Sequence, residues 1–170
     1  ASTGFTIGNS KIDNNYLKLP NLLSMKKEEL KEIQSIIDCK KIKTAFDSKY
    51  SSLIDDFTDS INVSLDLLEK SMYREVAMQA NIAKSVCHDS FYYQNILLKN
   101  NNKMYLIDLD SCVYDISIND LAKFIRRILF KRVYAWEFNI AKELIEAYTV
   151  KKPLSMEEYE ILLALIIFPH

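Results

Sequence analysis

The hydrophobic pattern of this chain changes period once, and that change sets what it can fold into. Up to about residue 80, and again beyond residue 117, apolar side chains recur every three or four positions, the spacing of helices with one buried stripe. Between these stretches stand two short β-favouring runs, NILLK from Asn95 and MYLIDLD from Met104, separated by NNNK. Asparagine tolerates the left-handed conformations of a tight turn, so the two runs read as a hairpin. A chain patterned in this way is mainly α, with one small β-hairpin set into it.

The stripes locate the helices. Ser24 reads as the N-cap of a first helix to about Lys43, with Glu28 and Glu29 in its first turn and Leu30, Ile33 and Ile37 inward. Leu53, Phe57, Ile61, Leu65 and Leu68 mark a second helix over about 51–70, and Ser71 reads as the cap of a third that carries Tyr73, Val76, Ala77 and Ala80. After the hairpin, Ser117 and Asp120 resemble a capping box ahead of Leu121, Phe124, Ile125, Ile128 and Leu129. Trp136, Ile140, Leu144 and Tyr148 mark the next helix. Ser155 and Glu158 form a capping box before the last, which is so apolar around Ile161–Ile167 that it calls for a cover.

Counting across the hairpin brings polar residues together. A turn centred between Asn101 and Asn102 sets Lys99 against Met104 and Asn95 against Asp108, and directly opposed Cβ atoms lie ~4.5–5.5 Å apart. One cation then touches both. Strand alternation puts Asp108 and Asp110 on one face and turns Ile107 and Leu109 to a core.

Composition removes several function classes. A formal net charge of -1 supplies no broad field for nucleic acid or an anionic membrane, and neither is expected as a partner. Cys39, Cys87 and Cys112 are odd in number and lack C-x-x-C spacing, which points to neither a disulfide framework nor a zinc site and to a reducing compartment during folding. The apolar run ILLALIIFP is about half of the ~20 residues that a spanning helix needs. Both glycines, Gly4 and Gly8, lie in the first ten residues, so no Gly-rich phosphate loop follows them.

The segment SVCHDSFYYQNILLKNNNKMYLIDLD, residues 85–110, gathers His88, Asp89, Ser90, Asn95, Asp108 and Asp110. A helix, then H-x-[DS]-x-x-x-x-N, a strand, a turn, a strand ending in I-D and a D-L-A helix start resembles the C-terminal lobe of the protein-kinase-like fold. The branch is that of aminoglycoside phosphotransferase and choline kinase, and within it the chain is most similar to the CotS family of bacterial spore-coat proteins. The likeness is carried by ASTGF at the start, LDLLEKSMYRE from Leu65, CHDSFYYQNILL from Cys87, LIDLDSCVYD from Leu106, NDLAKFIRRIL from Asn119 and SMEEYEILLALIIFP from Ser155. It spans residues 1–170 as a single C-lobe, expected to be cut at both ends.

The resemblance implies roles. In such kinases a loop Asp accepts the substrate proton, an Asn five residues later and the strand-terminal Asp bind magnesium, and a separate N-terminal lobe cradles the phosphates. Asn95 and Asp108 match the metal and nucleotide positions, with Asp110 as a further candidate ligand. His88 matches the loop histidine, a packing and hydrogen-bonding residue, and Asp120 is expected to buttress the loop. The catalytic position departs from the family: five residues before Asn95 stands Ser90, and Asp89 sits one place early.

The expected protein is therefore a kinase-like spore-coat protein with a structural or assembly role and weak or absent transferase activity, a degenerate kinase. It is made in the mother-cell cytoplasm and then held in the coat among other coat proteins. Mg2+ and ATP are expected to belong to the full-length protein and not to bind this chain tightly. Two other readings stay open: an active ATP- and Mg-dependent phosphotransferase on a small molecule or protein, and a helical interaction module without a nucleotide role. The plain alternatives for single residues are a satisfied turn at His88–Asp89, a strand cap at Asn95 and solvation of a strand end by Asp108 and Asp110. Phe91, Tyr92 and Tyr93 read as core ahead of a groove wall, and Arg126, Arg127, Lys131 and Arg132 as a solvated helix end ahead of a phosphate receptor.

Overall fold

A computed structural model describes residues 12–100 and 103–169. Seven helices are described: α1 (Leu19–Asp38), α2 (Ala45–Ser51), α3 (Ile54–Lys70), α4 (Tyr73–Ile82), α5 (Ser117–Leu129), α6 (Phe138–Thr149) and α7 (Met156–Ile167). Five short strands accompany them: β1 (Asp13–Asn14), β2 (Val86–Cys87), β3 (Ile96–Leu98), β4 (Met104–Leu106) and β5 (Val113–Tyr114). The ASTGF segment and the tip of the hairpin at Asn101 and Asn102 lie outside the described residues.

Several helix boundaries differ from those read in the sequence, each for a local reason. α1 starts at Leu19, not after Ser24, because Pro20 suits a first turn where its missing N–H has no intrahelical partner. It stops at Asp38, and a separate helix α2 follows, started by a capping box in which Thr44 and Asp47 satisfy each other's backbone N–H. Ser71 closes α3 instead of opening α4: its N–H goes to Leu67 O at 3.0 Å and its hydroxyl to Leu68 O at 2.8 Å. Ser117 is already helical, and Asp120 is turned away to the loop described below. Trp136 stands outside α6, which starts at Phe138 behind Glu137. The capping box of Ser155 and Glu158 is as expected.

The core forms where the apolar stripes of α1, α3, α4, α5 and α7 meet. Ile61, Ile118, Ile125 and Ile161 are fully buried, each stabilising by ~1.5–3 kcal/mol relative to exposure. The cover that α7 calls for comes from α3, α4 and α5, although Leu163 remains half exposed. Two polar groups lock α7 in place. The Ser64 hydroxyl on α3 donates to Ala164 O at 2.6 Å, and Nη1 of the buried Arg126 on α5 donates to Leu165 O at 2.6 Å. Burial first, and then the neighbouring Arg127, pulls the Arg126 guanidinium down to about 10, so it stays cationic at neutral pH and faces the negative end of the α7 dipole.

Two small sheets hang on this helical body. β3 and β4 pair antiparallel, whereas β5 lies between β1, which is parallel to it, and β2, which is antiparallel. The second sheet joins the entry of the chain to both flanks of the hairpin segment. Tyr16, just beyond β1, donates its hydroxyl to Ser85 O at 2.6 Å, next to β2.

Candidate active site

The site is the loop between β2 and β3, and its conformation is set from α5. The Asp120 carboxylate, almost buried, accepts the backbone N–H of His88 at 2.7 Å and that of Asp89 at 2.9 Å. His88 then ties the loop to the hairpin. Its Nε2 lies 2.9 Å from Ile107 O, which can only accept, so this nitrogen carries the hydrogen, and its own carbonyl accepts from Ser111 Oγ at 3.1 Å. His88 thus fixes the loop against the hairpin through both its ring and its backbone.

Beyond His88 the loop splits its polar side chains between two directions. Asp89 adopts a left-handed conformation (φ 61°), tolerable for a short polar side chain, and its carboxylate pairs with the Lys123 ammonium. Ser90 faces the other way. Asn95 Nδ2 donates to Ser90 O at 2.9 Å, lies 3.5 Å from Ser90 Oγ and reaches Asp108 Oδ2 at 3.2 Å. Ser90, Asn95 and Asp108 therefore converge, and Asp89 is held outside that group.

The hairpin that brings Asn95 to Asp108 has a register one residue away from the simple count. Leu98 pairs with Met104 and Ile96 with Leu106, which sets Asn95 opposite Ile107, whose N–H donates to Asn95 O at 3.0 Å. Asp108 still meets Asn95 because the chain leaves the strand there: its φ is 63° and a 3-10 turn, Leu109–Ser111, follows. The expected strand alternation fails at this point. Asp110 belongs to the turn and makes no hydrogen bond to Asn95 or Asp108, while Ile107 and Leu109 are exposed instead of facing a core.

What the pair can hold follows from its atoms. Asn95 Oδ1 and the second Asp108 oxygen are hard donors, and Mg2+ characteristically takes one or two such protein groups while water and phosphate fill the rest of its octahedron. The donor set fits that ion. No cluster of three or more His, Cys, Asp and Glu among the described residues forms a closed metal site. Asp115, buried at the start of α5, accepts from Ile116 N at 2.8 Å and Asn119 Nδ2 at 2.8 Å, yet burial outweighs these bonds and pushes its carboxyl up to about 6. A cavity of about 1130 Å³ opens beside Asp89 and Lys123, walled by α1 and by Asn119, Arg126 and Phe168.

Sequence reasoning missed Lys123, the partner of Asp89. Its signal was present: Lys123 follows Asp120 by one helical turn, on the face that the loop must approach. It also missed that Phe91, Tyr92 and Tyr93 line up along α5. Phe91 packs on Phe124 with ring centroids 5.3 Å apart, Tyr92 under Arg127 and Tyr93 under Lys131, so this segment is surface against helix and not core.

The family model described as "Spore coat putative kinase YutH" matches residues 68–170, more than half of the chain. The chain belongs to this family. The matched stretch contains the whole loop, the hairpin and α5 to α7, so family and geometry concern the same residues. The likeness to CotS proteins holds at the level of a kinase-fold protein of the spore coat. Among solved structures the chain is similar to an aminoglycoside phosphotransferase from Alicyclobacillus acidocaldarius, with a TM-score of 0.76 at 23% identity. That match covers 89% of this chain and 45% of the other, so this chain spans less than half of that protein's length. The fold is thus part of the C-terminal lobe of a kinase-like fold. No described helix is long and apolar enough to cross a membrane.

Proposed function

We propose that this family member serves the spore coat chiefly as an assembly protein, on a kinase-type lobe whose phosphoryl transfer is weak or lost. One observation supports this most: Ser90 stands beside Asn95 and Asp108, where the resemblance calls for a catalytic carboxylate, while Asp89, one place earlier in the loop, is committed to Lys123. A positioned general base contributes ~10²–10⁴-fold to rate, and a serine hydroxyl has no comparable basic form. On this reading other coat proteins are the partners, and the protein is made in the mother-cell cytoplasm before it joins the coat.

Asn95 and Asp108 are the residues that would hold Mg2+ in the full-length protein, and the ion would neutralise the charge on the phosphates of ATP. This chain alone binds nucleotide feebly on the same reading, because one carboxylate and one neutral amide without a phosphate cradle give a triphosphate little hold. The contact of Asn95 with Asp108 weighs against a helical module of no nucleotide ancestry. The cavity beside Asp89 favours a second reading, in which a small molecule sits there and Asp89, freed from Lys123, takes its proton.

Turnover in the full-length protein separates the two. ATP hydrolysis and transfer are measured with wild type, Ser90→Asp and Asp89→Ala, beside calorimetric titration with Mg-ATP. Slow wild-type turnover, unchanged by Asp89→Ala and raised by roughly a hundredfold in Ser90→Asp, is expected. Brisk wild-type turnover that collapses in Asp89→Ala replaces this reading with the second.

A further inference from the structure

The loop that carries Ser90 runs out along α5 as a series of paired contacts. Asp89 meets Lys123, Phe91 meets Phe124, Arg127 lies 5.4 Å from the Tyr92 ring centroid and Lys131 Nζ lies 3.6 Å from that of Tyr93. The stripe ends in the connection from α5 to α6, FKRVYAWEF, residues 130–138. Here Phe130, Val133, Trp136 and Phe138 are all exposed, Phe138 by 74%. Ala135 and Trp136 are both left-handed, with φ of 42° and 60°, a conformation that costs of order 1–3 kcal/mol per residue unless the surroundings impose it. The segment is nonetheless hydrogen-bonded into a defined shape, with Trp136 N donating to Leu129 O at 3.1 Å and Ala135 N to Lys131 O at 2.9 Å.

Cations outnumber carboxylates here. Arg127, Lys131 and Arg132 form no ion pair among the described residues, and the single carboxylate of the segment, Glu137, is turned to the N-terminus of α6, where it accepts from Asn139. Shaped apolar side chains rimmed by cations that have no carboxylate partner are the marks of an interaction surface. We propose that this face, from Tyr92 and Tyr93 to Phe138, docks an acidic polypeptide segment bearing aromatic side chains. The cations take its carboxylates, and Trp136 and Phe138 take its rings. A polypeptide suits the face better than nucleic acid does. Three cations release few counterions from a phosphate backbone, and Phe130, Val133 and Phe138 offer an apolar bed in which planar stacking is the lesser part.

The proposal deepens the assembly reading, on which it rests, by giving the chemistry of the partner. Binding of the full-length protein to labelled probes tests it: a glutamate–tyrosine copolymer, polyglutamate, a lysine–tyrosine copolymer and oligouridylate. The glutamate–tyrosine copolymer is expected to bind at least tenfold more tightly than the other three, and salt weakens it. The pair Arg127→Glu with Lys131→Glu, and separately the pair Trp136→Ala with Phe138→Ala, each lower that affinity tenfold or more with an unchanged thermal midpoint. If either pair unfolds the protein, Arg132→Glu at its exposed site is read in its place, with a loss of at least threefold expected. Equal binding of polyglutamate or the lysine copolymer, preference for oligouridylate, or full binding by folded variants overturns the proposal. Slow turnover with no copolymer binding removes this surface and leaves the reading of Ser90 standing.

Discussion

Asp115 and Asp47 show how single carboxylates give this chain opposite responses to pH. Asp47 is held down to about 2, first by the Lys40 ammonium and then by the Thr44 backbone N–H. It contributes stability above its ordinary 3.8 and loses it as pH falls through about 2. Asp115 does the reverse. Burial lifts it from 3.8 to about 6, so in that window the folded protein keeps a proton that the unfolded chain releases. Stability from this group is full below 3.8, falls as pH rises through about 6 and is level above. With ~1.36 kcal/mol per unit the whole fall is at most about 3 kcal/mol. Asp115→Asn is therefore expected to flatten the dependence of stability on pH between 4 and 6, as read from urea midpoints at a series of pH values. A slope equal to that of wild type would place the titration elsewhere.

At the scale of elements, what was legible depended on length and on local chemistry. The stripes of α3, α5 and α7 run for three turns or more, and they mark Ile61, Leu68, Leu121, Ile125, Leu129 and Leu162, all of which lie in the core. The capping box before α7 was equally readable, and both bonds are made, Glu158 N to Ser155 Oγ at 3.2 Å and Ser155 N to Glu158 Oε2 at 3.0 Å. Ser155→Ala should cost about 1 kcal/mol, seen as a lower denaturant midpoint at constant slope. The strands β1, β2 and β5 were invisible because two residues show no alternation. Asn95 and Asp108 were found by spacing and resemblance, and the one-residue error in pairing did no harm only because Asp108 turns left-handed as the strand ends. That same departure from the strand is why Asp110 could not be placed: alternation says nothing once the backbone leaves the sheet.

For the whole molecule, the decisive arrangement is that the helical body and the loop share α5. Its buried face supplies Ile118, Ile125 and Leu129 to the core, Arg126 holds the end of α7, and Asp120 grips the backbone of His88 and Asp89. The consequence can be stated in protons. Amide hydrogens in an irregular surface loop ordinarily exchange with solvent almost at once, whereas those of His88 and Asp89 are locked onto a carboxylate that is itself fixed in the first turn of a core helix. In deuterium oxide these two amides should exchange at the slow rate of the α5 backbone and not at that of their loop neighbours. Asp120→Ala should release both together, while the last turn of α7 keeps its protection. Exchange of the two amides within the dead time in wild type would mean that the loop breathes independently of the core. A loop clocked by the core instead keeps Ser90, Asn95 and Asp108 in one another's company for as long as α5 stays wound.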